Sequence, residues 1–315
     1  MLIAEAVVLV VLPVFGVVVL GYVVGALRWL DRAAVRGLSL YVFNIAIPLL
    51  LFRSMAIVDL PDSVPWRYIA GYFGCALVFF GSCLWLARRL FSHTLAESGV
   101  FAFGCSYGNF IPLGIPLVLT AFGEQAAVPL FMMVAIQAPL FFPLMIAVQE
   151  GARQGSVAGV AVAAALKGVV ANQYLAGIVL GALVNFAGVS LPGPVDDILA
   201  LVGRSAVPCA LFALGASLSY YRISGALPAA VTMVMIKNVA LPLAIWQIAE
   251  RWLGLEPLWQ AVMVLMAALP VGINTYLFAE RYDSAVAVGG TATVLSTAVS
   301  VLTISLVLAS LKLPL

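Results

Sequence analysis

Charge is what this sequence lacks most. Only 9% of its 315 residues are Asp, Glu, Lys or Arg, against 64% hydrophobic, and the mean hydropathy is +1.17. Soluble domains carry about 25% charged residues. A water-facing surface cannot be built from this inventory, so lipid must cover most of it. The net charge of +2 leaves no basic footprint for nucleic acid. A spanning helix takes about 20 apolar residues, which gives room for roughly ten spans and no sizeable soluble domain. The runs are too long and too evenly apolar for barrel strands, and a bilayer otherwise admits only helices. The expected fold class is therefore an all-α membrane protein.

Histidine and cysteine are scarce as well. The single histidine, His93, lies in a polar gap beside Arg88 and Arg89 and reads as a loop residue. Intramembrane metalloproteases need paired histidines, and a serine–histidine protease needs one inside the bilayer. Cys75, Cys83, Cys105 and Cys209 form no C-x-x-C and have no histidine partners, so neither a zinc site nor a disulfide framework is expected. They read as small core packers. No cofactor, metal or enzymatic activity is expected. No Asp or Glu falls in the middle of a span, where a cation exchanger would need buried carboxylates; this counts against a sodium/proton antiporter. The N-terminal run begins with the acidic Glu5 and stays apolar to Leu27, which reads as a retained first span rather than a cleaved signal peptide.

The apolar runs divide the chain into spans at roughly 6–27, 37–56, 67–87, 98–121, 126–148, 173–190, 198–221, 226–249, 258–279 and 286–311. Residues 149–171 stand apart: Glu150, Arg153, Gln154 and Lys167 flank an Ala/Val run too short to span, which reads as an interfacial or cytoplasmic linker helix. Basic residues concentrate in the gaps after odd-numbered spans (Arg28, Arg32, Arg36, Arg88, Arg89, Arg153, Lys167, Arg222, Arg281), against Arg53, Arg67, Arg204 and Arg251 in the others. The positive-inside rule then makes the odd gaps cytoplasmic and puts both termini outside.

Two motifs recur in order. Pro48-Leu49-Leu50-Leu51-Phe52 in the second span matches Pro208-Cys209-Ala210-Leu211-Phe212 in the seventh as P-x-x-L-F. Pro112-Leu113-Gly114-Ile115-Pro116 in the fourth matches Pro270-Val271-Gly272-Ile273-Asn274 in the ninth as P-x-G-I. A repeat of five spans re-enters the membrane from the opposite side, so the expectation is a 5+5 inverted-topology repeat, 1–148 and 172–315, of the kind secondary transporters use for alternating access. Proline removes a backbone donor and glycine adds freedom. The clusters at Pro112, Gly114 and Pro116, and at Pro270 and Gly272 followed by Asn274-Thr275, therefore predict two broken, crossed helices, the fourth and the ninth. Simple kinks are the plain alternative. Half-helix N-termini inside a membrane present N–H groups and positive dipole ends suited to a carboxylate.

Polar residues inside the spans usually face the bundle interior. Asn109 precedes the first cluster and Asn274 closes the second; each fits either a ligand contact or a tie to freed backbone. Asn172 opens the sixth span as a cap or site residue, and Gln137 is a further polar residue within a span. Asn44 and Asn238 read as interhelical hydrogen-bonding residues. Lys237, the one cation deep in a span, fits either a structural pin on unwound backbone or an attractor for an anionic substrate.

These residues together resemble the auxin efflux carrier family. Asn109-Phe110-Ile111-Pro112-Leu113-Gly114-Ile115-Pro116 with Phe122-Gly123 is similar to its fourth-span signature. Leu269-Pro270-Val271-Gly272-Ile273-Asn274 with Phe278-Ala279 and Tyr282 is similar to its ninth. Ile47-Pro48-Leu49-Leu50-Leu51-Phe52 and Leu211-Phe212-Ala213-Leu214-Gly215 also match. The family includes plant auxin carriers and bacterial permeases for malate, malonate and related acids. The resemblance implies a ten-helix, five-plus-five fold shared with bile acid/sodium symporters, a substrate carboxylate at the crossing of helices four and nine, and a homodimer. It also implies roles for Asn109 and for Asn172, although Asn172-Gln173 stands where the family often has Asn-Pro. The long hydrophilic loop of the plant carriers is absent.

The function expected is a secondary active or facilitative transporter of a small organic anion in the inner (plasma) membrane. Asn109, Asn172, Asn274 and Thr275 are the expected polar contacts, Pro112, Gly114, Pro116, Pro270 and Gly272 the helix breakers, and Asn44 and Lys237 supporting residues. A sodium-coupled symporter of the same fold is the nearest alternative, with proton coupling also open, and a channel is a more distant one.

Overall fold

The computed structural model describes residues 7–59, 66–154, 172–221 and 226–311. Among them every regular element is helical, with one isolated antiparallel bridge between Gly108 and Val271. Twelve helices follow in order: α1 Val8–Ala26, α2 Arg32–Ile57, α3 Trp66–Leu90, α4 Leu95–Ser106, α5 Phe110–Phe122, α6 Glu124–Arg153, α7 Gln173–Phe186, α8 Gly193–Leu218, α9 Leu227–Leu253, α10 Pro257–Ala267, α11 Asn274–Arg281 and α12 Val286–Ser310. Seven of these (α1, α2, α3, α6, α8, α9, α12) are long and apolar enough to cross a membrane. The remaining five are shorter. Four of them, α4–α5 and α10–α11, are the two halves of the predicted fourth and ninth spans, each interrupted where the proline and glycine clusters lie.

Local chemistry sets most helix ends. Asp31 caps α2 by accepting from the Ala34 N–H at 2.7 Å. Thr94 and Glu97 form a reciprocal capping box at the start of α4, which satisfies two orphan donors at once. Asn172 caps α7, its Oδ1 accepting from the N–H groups of Tyr174 (3.0 Å) and Leu175 (3.1 Å). Gly254, at φ +55°, closes α9 in the left-handed conformation that glycine adopts without strain. Inside α2 and α9 the backbone widens into π-type turns at Val42–Ala46 and Ile236–Ala240. Each lies just before a proline, Pro48 or Pro242, whose missing N–H leaves the carbonyl four residues back without its helical partner.

Helices α2 and α6 are longer than the second and fifth predicted spans, because their polar ends continue the helix past the apolar run. Residues 149–153 belong to α6 rather than to a separate linker; 155–171, the rest of the linker assignment, lies outside the described residues, as do Glu5 and Arg222.

Packing sorts the helices into two bundles. The densest contacts join α1 to α8 and α7 to α2, with α8 also against α2. A second set joins α3 to α4, α4 to α6, α9 to α12, α9 to α10 and α11 to α12. Close approach of α1 to α8 requires glycine: a Cβ on Gly21 would collide with the carbonyl oxygen of Phe212, and one on Gly215 with that of Val18. In α7, a Cβ on Gly181 would collide with the carbonyl oxygen of Phe52, and one on Gly177 would stand 2.6 Å from that of Pro48. Small residues at such interfaces let helix backbones touch, which is how helices associate where no hydrophobic effect acts between them. The outward faces carry exposed apolar side chains such as Phe186, Leu201 and Trp252, as a lipid-covered surface requires. All four cysteines are free.

Candidate functional site

The break between α4 and α5 and the break between α10 and α11 lie against each other. The Asn109 N–H donates to the Pro270 carbonyl at 3.1 Å, and the Gly272 N–H donates to the Tyr107 carbonyl at 2.9 Å. The two unwound strands thus pair as a minimal antiparallel bridge. This is how buried extended backbone survives at this depth: each strand satisfies the other's groups. The kink reading is excluded, since both helices are interrupted rather than bent.

The remaining free backbone groups are tied off by side chains from other helices. Pro112 has no N–H to offer the carbonyl of Gly108, and Gln137 Nε2 donates to that oxygen at 3.0 Å from α6. The Val271 N–H donates to Ser296 Oγ of α12 at 2.8 Å. Ser296 Oγ in turn donates to Asn238 Oδ1 at 2.5 Å, and Asn238 Nδ2 to the Ser296 carbonyl at 3.1 Å. Lys237 is fully buried, and its Nζ donates to the carbonyls of Ala267 and Leu269, each at 2.6 Å. Gly272 is a steric requirement of the crossing, and Gly114 sits under the flexible ends of two side chains. A Cβ on Gly114 would meet Leu269 at 2.7 Å and Met266 at 3.0 Å; one on Gly272 would meet the Tyr107 ring at 2.5 Å.

Beside the crossing lies a cavity of about 870 Å³ between the two bundles. One wall comes from α2, α7 and α8, including Phe43, Gln173, Tyr174, Ala213 and Ser217. The other comes from the breaks and from α6, including Tyr107, Ile111, Pro112, Phe142, Ile273 and Asn274. Ile111 and Pro112 stand in the first turn after one break, Ile273 and Asn274 at the start of α11, and Asn172 at the cap of α7. Three helix N-termini therefore border one space. Arg32, Arg36, Tyr220, Tyr276 and Glu280 line its mouth; Glu280 is the one acidic residue among the described residues that line it. Arg32 lies over the Tyr220 ring at 5.1 Å, and Tyr221 packs on Tyr276 at 4.2 Å.

Of the residues singled out by sequence, Pro112, Asn172 and Asn274 line this cavity. Asn274 Nδ2 donates to the Tyr107 hydroxyl at 3.3 Å. Asn109 is buried at the crossing, its Nδ2 without a partner, and Thr275 Oγ1 is likewise buried and unpartnered. Pro116 sits in the first turn of the regular part of α5 and, with Gly114, Pro270 and Gly272, shapes the crossing from behind. Asn44 is exposed, its Oδ1 accepting from Gln173 Nε2 at 2.7 Å. Lys237 does not line the cavity. Sequence reading missed Tyr107, Gln173 and Ser296. Tyr107 looks like another core aromatic; its place two residues before Asn109 was the available signal. Ser296 belongs to a run of hydroxyls, Thr291, Thr293, Ser296, Thr297 and Ser300, unusual for a purely lipid-facing helix.

A multi-pass helical membrane protein with two interrupted helices crossing beside an open cavity has the build of a membrane transporter. Comparison with known proteins agrees: the profile described as membrane transport protein, the family of the auxin efflux carriers, matches residues 6–159 and 160–308, and the chain belongs to that family. It is 26% identical over 276 residues, 86% of this chain and 85% of the relative, to a Rhizobium meliloti (strain 1021) protein named "Putative malonate transporter". It is 30% identical over 109 residues, 34% of this chain and 12% of the relative, to the "Lysosomal cholesterol signaling protein" of Mus musculus.

Proposed function

We propose that the protein is a carrier of small organic anions, mono- or dicarboxylates of malonate or malate size, working by alternating access at the helix crossing. The convergence of three helix N-termini on one cavity supports this reading most directly. Each N-terminus concentrates roughly half a positive elementary charge, and in a cavity walled largely by apolar side chains that field is weakly screened. A carboxylate entering there finds the donor groups of Asn172 and Asn274 and the Tyr107 hydroxyl. The likeness to a relative named for malonate supports the same substrate class.

The inverted repeat belongs to the proposal. Gly21 under the Phe212 carbonyl and Gly181 under the Phe52 carbonyl are the same contact made twice. Gly21 and Gly181 are 160 residues apart, as are Phe52 and Phe212. A pseudo-two-fold axis relating 1–148 to 172–315 accounts for both, and gives ten membrane crossings when α4–α5 and α10–α11 each count as one. The cavity mouth is bordered by Arg32, Arg36, Tyr221 and Glu280, all next to odd-numbered gaps. With the basic residues of those gaps cytoplasmic, the cavity opens inward and both termini face out of the cell, across its plasma membrane. A homodimer is part of the reading through the family resemblance.

The test is uptake of radiolabelled malonate and malate by proteoliposomes. Saturable flux with counterflow is expected, and Asn274→Ala should raise KM about tenfold, the worth of a hydrogen bond to a charged group, with the fold intact. Ohmic, unsaturable flux would overturn the carrier reading.

A further inference from the structure

One face of α2 follows the cavity inward from its mouth. Arg32, Val35, Arg36, Ser39 and Phe43 all line the space, at a spacing that puts them on a single helical stripe. The stripe ends at Phe43, whose carbonyl accepts from Gln173 Nε2 beside the cap of α7. The positive-inside rule asks for basic residues at this end of α2 but says nothing of their face, and Arg28 in the same gap is not among the lining residues. Side chains lean toward the N-terminus of their helix. Both arginines therefore lean toward the entrance, short of the crossing.

These charges are not spent on holding helices together. At the far end of α2 from the mouth, α2 and α8 are joined by a bidentate ion pair, Arg53 Nε to Asp196 Oδ1 at 2.7 Å and Nη2 to Oδ2 at 3.0 Å. The two-fold relation carries Asp196 onto Arg36 and Arg53 onto Ala213, each 160 residues away. At the cavity end, the same helix pair thus offers Arg36 an alanine methyl where its counterpart finds a guanidinium, and Ala213 lines the cavity too. Among the described residues no carboxylate pairs with Arg32 or Arg36; Arg32 rests on the Tyr220 ring. Glu280, the acidic residue lining the mouth, accepts from the Tyr276 hydroxyl at 3.4 Å. Two positive charges without ion pairs stand there against one negative charge.

We propose that Arg36 and Arg32 form a second anion subsite, on the way to the crossing, that makes the carrier select dicarboxylates over monocarboxylates. The inference rests on the carrier reading above and on its two-fold relation. An electrostatic potential acts on every charge a solute brings, so a field that tightens a dianion about tenfold tightens a monoanion only about threefold. The crossing takes the carboxylate that both kinds of acid share, and the arginines determine specificity through the second.

The experiment measures initial uptake of malonate, a dianion at neutral pH, and of its monoanion monomethyl malonate, in vesicles with the cavity mouth outward. It compares the wild type with Arg32→Gln/Arg36→Gln and Arg32→Lys/Arg36→Lys. Both variants should melt with the wild type, since neither arginine is buried. The glutamine pair should raise the KM for malonate about tenfold and that for monomethyl malonate about threefold, with saturating rates unchanged. The lysine pair should keep most of the malonate affinity, and Glu280→Gln should lower the malonate KM. Raising the ionic strength from about 0.01 to about 0.15 M shortens the screening length from about 30 to about 8 Å; this should raise the wild-type malonate KM and leave that of the glutamine pair nearly unchanged. Equal losses for the two acids, or a glutamine pair with the wild-type malonate KM, would overturn the subsite and leave the carrier standing. If the wild type transports neither acid, it is the carrier reading that fails. Melting temperatures in detergent then decide the subsite: malonate should stabilise the wild type more than the glutamine pair, and equal shifts, or none, would overturn it.

Discussion

Gly272 lies flat against the ring of Tyr107, so close that an added Cβ would stand 2.5 Å from Cδ1 and 3.1 Å from the carbonyl oxygen of Gly108. Neither neighbour can yield freely. The Tyr107 ring is stacked on Phe103 at 4.5 Å, and the Tyr107 carbonyl receives the Gly272 N–H. Gly272→Ala should therefore cost about 1–3 kcal/mol of stability, the usual range for overpacking. It should also weaken substrate affinity, because Tyr107 lines the cavity. Thermal unfolding in detergent and a binding titration check the two effects separately.

Gln137→Leu should destabilise the protein by about 1 kcal/mol, since it leaves the Gly108 carbonyl, which Pro112 already deprives of its helical partner, with the Phe110 N–H at 2.9 Å as its remaining donor among the described residues. Gln137→Glu should be worse than Gln137→Leu, because a carboxylate offers that oxygen no donor and adds a buried charge. Melting temperatures of the three proteins in one detergent give the ranking.

Gly21→Val and Gly181→Val should damage the protein to a similar extent, each forcing apart a helix pair whose backbones touch. Gly16→Ala, on the same helix as Gly21 with nothing within 4 Å of the new methyl, should be neutral. A large difference between the first two variants would count against the two-fold relationship between the halves.

Ser217 lines the cavity. In a variant with the four native cysteines replaced by alanine, Ser217→Cys should react with a membrane-impermeant thiol reagent from the cytoplasmic side only. Malonate should slow the reaction. Labelling from the outer side, measured in vesicles of defined orientation, would reverse the orientation assigned from the basic residues.

The interruptions were legible because their cause is local. Pro112, Gly114, Pro116, Pro270 and Gly272 cannot continue a regular helix whatever surrounds them. The residues that make the interruptions tolerable were not legible in the same way. Gln137, Lys237 and Ser296 arrive from three other helices, and nothing in a one-dimensional pattern says which carbonyl or N–H they will find. A lone lysine deep in a span fits a structural pin somewhat better than a substrate contact, and its two bonds to the α10 end place Lys237 behind the crossing. Asn44 makes the interhelical hydrogen bond its residue type suggests, accepting from Gln173 of α7, but at an exposed position. The grouping of helices was hidden as well. The sequence halves suggest two bodies, but packing unites α1 and α2 with α7 and α8, drawing from both.

The paired strands at the crossing also constrain how such a machine moves. With Asn109 fastened to Pro270 and Gly272 to Tyr107, the two interrupted rods form one stitched unit that cannot open like a pair of scissors without tearing buried bonds. In the carrier reading proposed above, exposing the cargo to the far side carries that unit whole, as a berth travelling with its passenger. The slip plane of that reading falls along the wall to which Phe43, Ala213 and Leu214 contribute.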